Sequence, residues 1–99
     1  MPIRGKKQRF TDNNISNAPT DNGVYVLSRY RRITYIGKGE GEGGIRSRLQ
    51  AAKQDTRGRG KATSFQSERS KNASKREKQL LEQYKKKHRK LPPYNERLG

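Results

Sequence analysis

GVYVLSRYRRITYIG, residues 23–37, decides how this chain folds. Two runs rich in β-branched and aromatic residues, each with one tyrosine, flank the basic turn Arg29-Tyr30-Arg31-Arg32. The pattern predicts strands over 24–28 and 32–36, joined as a hairpin. A two-residue loop at Tyr30-Arg31 would set Tyr25 opposite Ile36 and send the two tyrosines to opposite faces. An odd loop centred on Tyr30 pairs Tyr25 with Tyr35, Leu27 with Ile33 and Val26 with Thr34, and brings both hydroxyls together. The turn holds no Gly or Asn-Gly, so nothing in it calls for a tight hairpin, and the odd register is the expected one.

Working outward, GKGEGEGG at 37–44 has five glycines in eight positions and reads as a flexible connector. It lacks the Lys-Ser/Thr ending of a phosphate-binding P-loop, and Glu40 and Glu42 would repel phosphate. A short helix follows over 45–53, with Ile45, Leu49 and Ala52 on one face. Phe65 marks a third strand over 62–67. A long helix spans 72–88, with Ala73, Glu77, Leu80, Leu81, Tyr84 and His88 along one side. Pro92-Pro93 ends any helix ahead of Tyr94-Asn95. Residues 1–16 read as a basic and polar lead-in, and 17–99 as one domain. The expected class is α/β of the α+β type: a small three-stranded antiparallel sheet flanked by helices.

At 99 residues with 26% hydrophobic content, the chain has room for one small core. It carries 25 Lys+Arg against 9 Asp+Glu, a formal net charge of +16. Such self-repulsion calls for a polyanion, and DNA is the first candidate partner, with RNA the alternative. A ribosomal-type RNA-binding protein and a protein of anionic membrane surfaces share this composition. No apolar run would span a bilayer, and the amino terminus lacks the apolar core of a signal peptide. The absence of cysteine excludes disulfides and thiolate metal sites and fits a cytoplasmic location.

Cleaving a phosphodiester requires a positioned water, positive charge on the non-bridging oxygens and a means of holding the strand. Mg²⁺ needs only one or two carboxylates for this work. Glu77 is the leading acid because it shares a helical face with Leu80, Leu81 and Tyr84. Glu82, on the opposite side, is the runner-up. Together, Gly23-Val24-Tyr25, Thr34-Tyr35-Ile36-Gly37, Arg48-Leu49 and Glu77-x-x-Leu80-Leu81 with a distal Pro93-x-Asn95 resemble the GIY-YIG nuclease family, over roughly 17–95.

That resemblance implies a metal-dependent DNA endonuclease using Mg²⁺ or Mn²⁺. It implies that Glu77 holds the metal, Arg48 contacts the scissile phosphate with Arg46 as alternate, and Tyr25 and Tyr35 activate or orient water. Which tyrosine does which stays open. Lys38 matches a basic position that reaches phosphate, and Asn95 a supporting amide. The chain departs from the family in a longer glycine loop, in Ala52 where members often carry His or Tyr, and in extra basic residues at 85–90. The rival is a non-catalytic nucleic-acid-binding module on the same scaffold.

The expected electrostatic footprint comprises Arg29, Arg31 and Arg32 in the turn, Arg46, then Arg57, Arg59 and Lys61, and finally Lys85, Lys86, Lys87, Arg89 and Lys90. His88, the only histidine, belongs with that last run. No second DNA-binding module is legible, so sequence specificity is expected to be weak or to come from a partner protein.

Overall fold

A computed structural model describes residues 3–56 and 58–98, without the side chains of 96–98. The elements are β1 (Gln8–Arg9), α1 (Asp12–Ser16), β2 (Gly23–Arg29), β3 (Arg32–Gly39), α2 (Gly44–Gln54), a 3₁₀ turn (Arg59–Lys61), β4 (Ser64–Arg69), α3 (Ala73–His88) and α4 (Pro93–Leu98). They form an α+β domain around a four-stranded antiparallel sheet in the order β1-β4-β2-β3. No helix among the described residues is long and apolar enough to cross a membrane.

The fourth strand comes from the segment expected to be a polar lead-in. Gln8 and Arg9 pair with Phe65 and Ser64 of β4. Just before them, the Arg4 amide donates to the Glu68 carboxylate (3.0 Å) and Gln66 Nε2 donates to the Gly5 carbonyl (2.8 Å). What anchors the segment is apolar: Phe10 packs edge-on to Phe65 at 6.0 Å between centroids, and Ile15 of α1 is buried beside it. Residues 8–16 therefore belong to the globule.

The hairpin register differs from the expected odd loop. Arg29 pairs with Arg32 and Ser28 with Ile33, so the loop has two residues, and Tyr30 takes a left-handed φ of 56°. One residue later the ladder slips: Leu27 pairs with Tyr35, leaving Thr34 as a bulge. Its buried hydroxyl donates to the Leu27 carbonyl at 3.3 Å. The extra residue restores parity, so Tyr25 pairs with Gly37 while Tyr35 lies diagonally across on the same face. Two-residue loop and bulge together do what an odd loop was expected to do.

Alternation along β2 and β3 builds two cores. On one face Tyr25 and Leu27, with Tyr35 against them, meet Ile45, Leu49 and Ala52 of α2 together with Phe10, Ile15 and Phe65. On the other, Val24, Val26 and Ile36 meet Leu80 and Tyr84 of α3. β3 runs on to Gly39, so the glycine connector shortens to 40–43. α3 starts from an Asn72 cap whose side chain accepts from the Lys75 amide (3.2 Å), and stops at Arg89, in a left-handed conformation. Arg76 holds Glu68 at 2.7 Å with both side chains largely covered, which keeps that carboxyl below its usual range. α3 thus ends at its Arg89 cap, three residues before Pro92-Pro93, and Pro93 instead opens α4, so Tyr94 and Asn95 are helical and not beyond a helix end.

Candidate nuclease site at the β3 edge

Tyr25 and Tyr35 meet over Gly37. Their ring centroids lie 6.0 Å apart, and the Tyr35 phenol is close enough to Tyr25 to oppose its ionisation. Gly37 is what lets them close. A Cβ there would fall 2.6 Å from Cζ and Oη of Tyr25 and 2.7 Å from Cε2 of Tyr35. Gly37→Ala is therefore expected to cost about 1–3 kcal/mol of stability by overpacking. Urea denaturation measures the cost, and near-ultraviolet circular dichroism of the tyrosines reports the displaced rings. An unchanged midpoint and spectrum would overturn this account of the glycine.

The two phenols are not equivalent. Tyr25 is 2% exposed, and burial, with the Tyr35 hydroxyl next to it, pushes its pKa well above that of a free phenol, against the pull of Arg59 and Arg48. Burial thus favours its protonated form. Tyr35 is half-buried and is the member of the pair that reaches solvent.

Two arginines complete this face. Arg48, exposed on α2, lies close enough to bias Tyr25. Arg59 reaches over the Tyr35 ring at 5.3 Å, and its Nε donates to Asp55 Oδ2 at 3.0 Å. It was expected in the outer DNA-binding surface and instead stands at the tyrosine pair; the Asp55-x-x-x-Arg59 spacing was the available signal. Arg46 points elsewhere: its Nε donates to the Ala18 carbonyl at 2.8 Å. α2 is seated by the same loop, with the Ile45 and Arg46 amides donating to Asp21 and Pro19 carbonyls. Gly44, with φ +48°, allows that approach, since a Cβ would meet the Thr20 carbonyl oxygen at 2.1 Å.

Glu77 belongs to the other face of the sheet. It is half-buried on α3, and its neighbours are Lys38 and Glu40. Lys38 Nζ donates to Ser74 Oγ (2.7 Å) and pairs with Glu40 at 3.2 Å. Burial raises the Glu77 pKa above that of an ordinary glutamate; Lys38 opposes the shift and Glu40 adds to it. Among the described residues no hydrogen bond or ion pair ties the Glu77 carboxylate down. Glu40, read from sequence only as a repellent of phosphate, is thus a second carboxylate beside Glu77. Glu82 is exposed, next to Arg76, Gln79 and Lys86, away from both clusters.

Asn95 has a structural task. Its Oδ1 accepts from the Ile36 amide and its Nδ2 donates to the Ile36 carbonyl, both at 2.8 Å. It fixes α4 to β3 between the strand positions that carry Tyr35 and Lys38. The fold therefore brings Tyr25, Tyr35, Arg48 and Arg59 together on the α2 face, and Glu77, Lys38, Glu40 and Ser74 on the α3 face. The four residues Tyr35-Ile36-Gly37-Lys38 of the outermost strand connect the two groups.

The remaining basic residues divide similarly. Arg29, Arg31, Arg32, Lys87 and Lys90 border one groove together with Tyr30 and His88. Lys61, Lys85, Lys86 and Arg89 are exposed. Arg57 lies outside the described residues. No protein-family model, curated protein or solved structure matches this chain.

Proposed function

We propose that this protein is a divalent-metal-dependent DNA endonuclease of the GIY-YIG type, hydrolysing a phosphodiester at the β3 edge. The observation that carries the reading is the tyrosine pair closed over Gly37 beside Arg48 and Arg59. Two phenols held over a glycine with two guanidiniums nearby are more than a cross-strand packing pair requires.

In this reading Arg48 and Arg59 hold the phosphate and offset the charge that builds on its oxygens. Asp55 keeps the Arg59 fork in place. Tyr35 orients the attacking water, and Tyr25, kept protonated by burial, packs against the Tyr35 ring and holds it in place. The residues present suit Mg²⁺ or Mn²⁺: Glu77 is a half-buried carboxylate with no hydrogen bond or ion pair among the described residues, and Glu40 is a second oxygen donor. Bound there, the ion would supply positive charge for a non-bridging phosphate oxygen. Lys38 and Ser74 set the Glu40 carboxylate beside it.

One observation favours a second reading, a basic nucleic-acid-binding module without catalysis: Glu77 and the tyrosine pair occupy opposite faces of the sheet. Nicking of supercoiled plasmid separates the two. The nuclease reading expects nicking with Mg²⁺ or Mn²⁺, none with EDTA, and a loss of about 10²–10³-fold in Arg48→Ala. Salt-sensitive binding to several DNA forms with no nicking under any metal condition would assign the chain to the second reading.

A further inference from the structure

The basic turn at the far end of the hairpin is built unlike an ordinary turn. Tyr30 is 73% exposed, the only large hydrophobic side chain so presented among the described residues. It is also held at φ 56°, a backbone region that bulky side chains enter at a cost of about 1–2 kcal/mol and that Gly or Asn enters freely. Its amide donates to Thr63 Oγ1 at 2.7 Å, so the strained conformation is pinned from β4's approach. Strain of this kind persists where something is gained from it. A glycine here would ease the turn but would present no ring.

The surroundings say what the ring is for. Tyr30 stands between two cavities, of about 560 and 390 Å³, with Arg29 and Arg32 bordering both. The larger one adds Arg31, Lys87, Lys90 and the exposed imidazole of His88, which stacks on Tyr84 at 4.2 Å between centroids. Among the described residues, no acidic side chain borders either cavity. The Arg29 guanidinium lies 6.0 Å from the Tyr30 ring centroid. A cationic groove built around a solvent-facing aromatic ring is the chemistry that holds single-stranded nucleic acid: cations track the backbone, and an unpaired base stacks on the ring. A duplex keeps its bases stacked on one another and gains nothing from the tyrosine.

The geometry points to a second nucleic-acid site on this protein, in which Tyr30 stacks an unpaired base of single-stranded DNA whose phosphates lie along Arg29, Arg31, Arg32, Lys87 and Lys90. The choice of DNA over RNA rests on the function proposed above; the stacking does not. Tyr30 lies five residues along the hairpin from both Tyr25 and Tyr35, about 16 Å at strand rise, or about five steps of stacked DNA. The substrate class that fills both sites is a branched or frayed DNA, with its single strand in the groove and the scissile bond near the tyrosine pair.

The test is a binding measurement, so its result is independent of whether the protein cuts. Fluorescence anisotropy with labelled dT12, an abasic twelve-residue strand of the same charge, a twelve-base-pair duplex and rU12 compares wild type with Tyr30→Ala and Tyr30→Gly. Wild type should bind dT12 about tenfold tighter than the abasic strand, and both variants should lose that preference while duplex affinity and the salt slope stay within twofold. Tyr30→Trp should keep the preference. Tyr30→Gly should also melt no lower than wild type, since the strain is relieved, so its loss of binding is not unfolding. Equal binding of dT12 and the abasic strand by wild type would overturn the proposal, as would variants that retain the preference. Binding of rU12 tenfold tighter than dT12 would overturn the assignment to DNA.

Discussion

Replacing Glu77 by glutamine is expected to lower metal-dependent DNA nicking at least about a thousandfold while leaving fold and DNA affinity intact. Glutamine keeps the shape of the side chain and removes only the charge that would hold the ion. Removing an acid from so basic a surface gives no reason for DNA binding to fall. Stability offers an independent check because its sign differs between a ligand and a salt-bridge partner. Burial raises the Glu77 pKa in the folded protein, ahead of the opposing Lys38 and the reinforcing Glu40. A group with a raised folded pKa favours folding while protonated, and that contribution is lost as pH rises through the folded value. At neutral pH the charged carboxylate is thus a burden on the fold, and glutamine should leave the urea midpoint unchanged or slightly higher. A glutamate kept for an ion pair with Lys38 would have a lowered pKa, and glutamine would then destabilise.

The metal provides the complementary readout. Mn²⁺ should raise the melting temperature of wild type and not of Glu77→Gln. On acidification the Mn²⁺ effect should fade from a higher pH than an ordinary glutamate would give, because protons compete for a carboxylate with a raised pKa. Wild-type nicking by Glu77→Gln, or equal Mn²⁺ stabilisation of both proteins, would remove Glu77 from the metal.

The largest effect on stability is expected from Phe65→Ala, about 3–5 kcal/mol. Phe65 is 1% exposed, and it joins three pieces of the domain. It pairs with Leu27 of the central strand and Gln8 of the edge strand, and packs against the ring of Phe10. A truncation leaves a cavity next to Ile15 and Leu49, in the cluster that also seats Tyr25. A domain of this kind has about 5–15 kcal/mol in total, so the variant should melt more than about 10 °C lower and lose activity through the displaced tyrosine. Thermal melts with a Phe65→Leu control decide it. If alanine costs less than about 1 kcal/mol, the cluster is not the core described here.

Much of the architecture was legible because it follows from period. Alternation along 24–28 and 32–36 marked the hairpin, and apolar spacing marked α2 and α3. Parity was legible too, but its origin was not. A bulge leaves no composition signal, and Thr34 looks like any strand threonine until its hydroxyl is seen on the Leu27 carbonyl. β1 escaped because two basic and polar residues carry no strand pattern; only Phe10, lone in sequence, pointed to a partner. Of the candidate site, the sequence singled out Tyr25, Tyr35, Arg48, Glu77 and Lys38, but neither their arrangement nor the places of Arg59 and Glu40 in it. A helical wheel sets Glu77 inward along α3, yet it cannot say which face of a sheet α3 covers. Arg59 reached the tyrosines through a turn whose path no local preference fixes.

The bond pair between Asn95 and Ile36 has a consequence for how copies of this chain behave when crowded. β3 is the outermost strand, and an outer strand offers its free amides and carbonyls to any neighbouring chain. In solution the +16 charge keeps copies apart, but on a polyanion that repulsion is neutralised and copies lie side by side. Asn95 occupies the Ile36 groups from within the same chain, as a strand one residue long. On the DNA proposed as its partner, that pairing would keep crowded copies separate molecules, without their sheets joining into aggregates.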